Sequence, residues 1–74
     1  MSRLPGVKPQ EAIRALQKAG FDIVRVRGSH YQLKNSVTGR RATVVHHTKD
    51  LTKATLTSMI RQAGLPVEQF LKLL

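Results

Sequence analysis

Three histidines are the side chains of this 74-residue sequence best suited to moving protons near neutrality. Imidazole has a reference pKa of about 6.5, so it accepts or donates a proton at physiological pH. His30 follows Gly28-Ser29 and lies close in sequence to Arg25, Arg27 and Lys34. There is no cysteine, which removes a thiolate nucleophile, a disulfide framework and thiolate zinc sites. The four carboxylates, Glu11, Asp22, Asp50 and Glu68, are scattered, whereas two-metal hydrolysis gathers several at one place. No Gly-rich loop leads from a strand into a helix to cradle phosphate, and no serine is spaced as part of a triad. Neighbouring residues of a strand point to opposite faces, so His46 and His47 cannot both turn to one metal. Neither a metal nor a cofactor is expected.

One histidine among guanidinium groups suits a substrate that brings its own nucleophile. RNA does so in its 2′-hydroxyl. An enzyme then has only to deprotonate that hydroxyl, neutralise the phosphorane and protonate the departing 5′-oxygen.

Charge points the same way. Thirteen Lys and Arg against four Asp and Glu leave a net charge of +9. Self-repulsion of that size destabilises a compact chain, and a polyanionic partner relieves it. The basic residues are spread along the chain, so folding must bring them together. Nucleic acid is the first partner class to consider and an acidic protein is compatible with it. A membrane surface is not expected, because no basic amphipathic helix rich in Trp or Phe is present. No apolar run approaches the roughly 18–20 residues that cross a bilayer, and Met1–Gly6 lacks a signal-peptide apolar region. The expected location is the cytoplasm.

The elements that must position these residues are short. Pro9 suits a first helical position, Glu11 a first turn, and Gly20 the position after a last turn. Between them Ala12, Ile13, Leu16 and Ala19 recur at helical spacing, which predicts a helix over about Pro9–Ala19. From Phe21 the period changes to two. Strands are expected over Phe21–Arg27, Ser29–Asn35 and Arg40–His46, joined by a tight turn at Arg27-Gly28-Ser29 and a loop at Ser36-Val37-Thr38-Gly39. Such short connections give an antiparallel meander. Thr52 then reads as an N-cap, with Leu56, Met59, Ile60 and Ala63 on one helical face and Gly64 ending it. Pro66 opens a last short helix carrying Val67, Phe70, Leu71 and Leu74. The expected fold is α+β, a single domain over residues 1–74 in the order α-β-β-β-α-α, with the helices on one face of a three-stranded antiparallel sheet. At this size a core rarely supplies more than about 3–5 kcal/mol, so a stabilising partner would fit.

Alternation sorts the sheet into two faces. Val24, Val26, Tyr31, Leu33, Ala42 and Val44 are expected beneath the helices. Arg25, Arg27, His30, Gln32, Lys34, Arg41 and Thr43 are then left on the open face, with no acidic residue among them. Long cationic side chains on a solvent-facing sheet also serve simply to blunt its edges. The total charge favours an anion on that face instead, because like charges on adjacent strands repel without one.

The run Arg25-Val26-Arg27-Gly28-Ser29-His30 resembles the strand–turn–strand hallmark of HicA toxins. Ala42-Thr43-Val44-Val45-His46-His47 resembles that family's third strand and exit. Lys49-Asp50-Leu51 through Thr55-Leu56, with Ile60-Arg61-Gln62-Ala63-Gly64-Leu65, is similar to its second-helix signature. Glu11–Phe21, a helix closed by Ala-Gly-Phe, fits its opening. The resemblance covers about residues 7–65. It implies an mRNA-cleaving toxin with a fold like double-stranded-RNA-binding domains, a catalytic histidine at His30, and a HicB antitoxin that occludes it. The family usually has Pro two positions before its exit histidine. Here Val45 precedes His46-His47, which leaves open which of the two is the family's second histidine.

The expected activity is thus a metal-independent endoribonuclease acting by transesterification, with His30 as general base or acid. Arg25, Arg27, Lys34 and Arg41 are expected to hold phosphate. Gly28, Ser29, His47, Lys49 and Lys53 complete the expected RNA contacts. The partners are mRNA and an acidic HicB-type antitoxin, the chain being a monomer when free and part of a hetero-oligomer when bound. The alternative is a non-catalytic RNA-binding module, and a third reading is a domain whose basic face docks an acidic protein. The first predicts cleavage products, the second binding that survives His30→Ala, and the third little affinity for RNA at physiological salt.

Overall fold

The computed structural model describes residues 6–46 and 49–74, in the order α1 (Pro9–Lys18), β1 (Phe21–Arg27), β2 (His30–Asn35), β3 (Arg41–Val45), α2 (Lys53–Ala63) and α3 (Val67–Lys72). The three strands form one antiparallel sheet in sequence order. No helix among the described residues is long and apolar enough to cross a membrane.

Local chemistry sets where α1 begins and where α2 begins and ends. Pro9 opens α1, and Glu11 reaches back to accept the Lys8 backbone N–H at 2.9 Å, satisfying a donor the helix cannot. Thr52 caps α2 by accepting the Thr55 N–H at 3.1 Å, and Gly64 ends it in the left-handed conformation. The buried residues Ala12, Ile13 and Leu16 of α1, Leu56, Met59, Ile60 and Ala63 of α2, and Phe70 of α3 meet Phe21, Leu33, Ala42 and Val44 of the sheet. The helices therefore share one face.

Asn35 is the buried polar residue that ties these parts together. Its side-chain oxygen accepts the Val37 and Thr38 N–H groups at 2.8 and 3.1 Å, shaping the loop from β2 to β3. Its amide nitrogen donates to the Ala19 carbonyl at 3.3 Å, at the end of α1.

The face sorting needs one correction, in β1. The register runs Ile23 opposite Leu33 and then Arg25 opposite Gln32, which makes Val24 the extra residue of a bulge. Upstream of it the alternation is inverted relative to expectation. Phe21 and Ile23 take the helix side, and Phe21 is buried in the core. Val24 and Val26 are not covered as expected: they are 55% and 51% exposed. Val24 is displaced by the bulge, and Val26, though level with Tyr31 and Val44, lies where no helix closes over the edge strand. The same inversion sends Asp22 to the open face, so that face does carry one carboxylate.

Candidate active site

The strand pairing arranges the open face in three rows. Arg27, His30 and Val45 form the first, at the turn between β1 and β2. Arg25, Gln32 and Thr43 form the second, and Asp22, Lys34 and Arg41 the third. All seven residues expected on this face, Arg25, Arg27, His30, Gln32, Lys34, Arg41 and Thr43, are thus brought to one side of the sheet. His30, Arg25, Arg27 and Arg41 are exposed, and Lys34 is half-buried.

Directly opposed residues on one face have Cβ atoms about 4.5–5.5 Å apart, so Arg27 is the cation nearest in register to His30. The two are joined by Gly28-Ser29. Gly28 has φ of 58° while no described residue other than glycine has a positive φ, the pattern of a type II′ turn with glycine first. No described side chain hydrogen-bonds to His30, which is exposed.

Val45, the other neighbour of His30, faces a cleft between β3 and α2. This cleft has a volume of about 360 Å³ and is lined by Thr43, Val45, Thr55, Ser58 and Gln62 among others. Gln62 Oε1 accepts the Thr43 N–H at 3.2 Å and so closes the outer edge of β3. An adjoining cleft brings Lys49 and Asp50 beside the same Val45. Lys49 therefore approaches the His30 row. Lys53 is exposed at the first turn of α2 but lines neither cleft. His47 lies outside the described residues.

Sequence reasoning missed three features. Val45 follows from carrying the alternation of Arg41 and Thr43 one step further. The hydroxyl and amide groups of α2 that line the cleft carry no distinctive spacing and needed the packing of α2 on β3 to be seen. His46 sits on the helix side of the sheet, its N–H donating to the Ser29 carbonyl at 2.6 Å and its ring 5.3 Å from that of Tyr31. It is thus on the opposite side from His30.

These features define a small basic α+β domain like the double-stranded-RNA-binding domains, with helices on one face of the sheet and a histidine among cations on the other. Residues 9–65 match the family model described as the HicA toxin of bacterial toxin–antitoxin systems, and the chain belongs to that family. The match begins with α1 and ends just after α2, so it contains the whole sheet. No curated protein matches the chain. Membership makes the chain a toxin and implies an antitoxin as its partner.

Proposed function

We propose that the chain is a metal-independent endoribonuclease that cleaves mRNA in the cytoplasm, with His30 as the catalytic residue. The observation that carries this reading is the exposed His30 ring directly across from Arg27, on a sheet face that no helix covers.

The reaction follows from that placement. His30 takes the proton of a 2′-hydroxyl, and the freed oxygen attacks the adjacent phosphorus. The phosphorus–O5′ bond breaks, leaving a 2′,3′-cyclic phosphate on one product. The departing 5′-oxygen takes a proton from the imidazolium or from water and becomes a free hydroxyl. Arg27 offers two parallel N–H donors to the non-bridging oxygens, where charge builds in the transition state. Arg25, Lys34 and Arg41 extend the positive track for the flanking phosphates. Gly28 and Ser29 present backbone at the His30 end, Lys49 and Lys53 extend the contacts toward α2, and His47 is a further RNA contact. His46, on the other side of the sheet, takes no part.

An acidic HicB-type antitoxin would silence the toxin by covering this face, since burying the cations without carboxylates costs several kcal/mol. Cleavage of a defined RNA in EDTA, with analysis of the product ends, tests the proposal. The expected ends are a cyclic phosphate and a 5′-hydroxyl, at an unchanged rate. Loss of cleavage in EDTA, or 5′-phosphate ends, would rule the mechanism out.

A further inference from the structure

The two edges of the sheet differ. That of β3 is closed by α2 through Gln62. That of β1 has no backbone hydrogen bond to any other described residue on its outer side. Every residue of β1 after Phe21 is exposed. Ile23, Val24 and Val26 are three of the five exposed large hydrophobic residues among the described residues, at 39%, 55% and 51%. Beside them runs a groove of about 370 Å³ between α1 and the sheet, lined in part by Ile13, Arg14, Ile23 and Tyr31. On the other face of the same strand stand Arg25 and Arg27.

The pairing also shows which backbone groups are free. The Thr43 N–H points away from β2, so Gln32, its partner, directs its own polar groups toward Arg25. One residue further along, Val26 must then turn its N–H and C=O outward. An aliphatic strip, outward backbone groups and two guanidinium groups lie along one exposed strand.

We propose that this edge receives an extended segment of the antitoxin as a fourth strand, with aliphatic and acidic residues alternating along it. Its backbone pairs with β1, its aliphatic side chains lie over Ile23 and Val26, and its carboxylates meet Arg25 and Arg27. A second copy of this chain is a poor occupant: each copy carries a net charge of +9, and the arginines of two β1 strands would face one another. RNA is also a poor fit, because phosphate has no use for an aliphatic strip or backbone acceptors. The added strand would engage Arg27, the partner of His30, and so draw away the cation that the phosphate needs. The proposal rests on the antitoxin partner and not on cleavage.

The test titrates the nitrogen-15-labelled full chain with a peptide of about ten residues alternating valine and glutamate, and with one alternating valine and lysine. The expected result is chemical-shift change and slowed amide exchange within residues 23–27 for the glutamate peptide alone. Val26→Pro, which removes an outward N–H at an edge that accepts proline, is expected to weaken binding at least about tenfold. The pair Arg25→Glu and Arg27→Glu is expected to reverse the preference toward the lysine peptide, a result that mere loss of folding cannot produce. Shifts confined to α1 or α2, no binding at millimolar peptide, or protection of β1 by self-association without peptide would each overturn the proposal. The readout is binding, so a chain that cleaves no RNA can still pass it, and one that cleaves RNA can still fail it.

Discussion

Arg27 and His30 face each other across the hairpin that Gly28 and Ser29 close, on the side of the sheet away from every helix. The relationship puts a fixed cation beside a group that can exchange a proton, and it depends on a backbone shape that only glycine adopts freely at position 28.

Gly28→Val is therefore expected to affect both residues at once. A β-branched side chain at a φ of 58° costs about 1–3 kcal/mol. Nothing lies near the added Cβ, so the penalty is conformational and not a clash. Cleavage should fall about tenfold or more as the turn relaxes and Arg27 moves out of register with His30, as a 1 Å misplacement can do. Thermal melting together with an RNA-cleavage assay checks both parts.

Arg27→Ala is expected to lower kcat/KM by about 10- to 100-fold, the range for loss of a charge-assisted contact to the transition state. Arg27→Lys should restore only part of this, because an ammonium group cannot grip two phosphate oxygens in parallel. The salt dependence of RNA affinity should flatten in the alanine variant by about one phosphate contact. Filter binding over a range of salt concentrations measures this directly.

His46→Ala separates the two described histidines. With its ring against Tyr31 on the helix side, its removal should leave cleavage within about threefold of the parent, far less than the loss of a general base. The same single-turnover assay reads it. A loss as large as that of His30→Ala would show that the two faces are not functionally separate.

Asn35→Ala addresses the frame. It removes the acceptor of two loop N–H groups and the donor to the Ala19 carbonyl. Leaving these partly buried groups unpaired costs about 1–3 kcal/mol. In urea unfolding the midpoint should fall with an unchanged slope. Asn35 is remote from the His30 row, so cleavage by the folded fraction should persist.

Much of this was legible in the residues. The helices announced themselves through Pro9, Thr52 and Gly64, and the meander through Gly28 and Gly39, because each occupies a position with a specific backbone demand. The cationic side of β2 and β3 followed from simple alternation. The phase of β1 did not. Phe21 and Ile23 alternate in one phase while Val24 and Val26 alternate in the other, and the slip between the two pairs is the bulge written in sequence. A β-branched run suits either phase, so only packing against α1 selects the one that buries Phe21. The same ambiguity hid Asp22, whose side depends on that phase. The cleft beside Val45 was hidden for another reason: it lies between elements distant in the chain, and no local pattern specifies how α2 approaches β3.

The most direct test compares the chain with His30→Ala under single-turnover conditions on one RNA, in EDTA. His30 is exposed, so the substitution should change stability by no more than about 0.5 kcal/mol. The expected result is a drop in rate of about 10²–10⁴-fold, with RNA affinity nearly retained, as befits loss of a proton-transfer group from an otherwise intact surface. Cleavage at the parent rate in a folded His30→Ala chain would contradict the account.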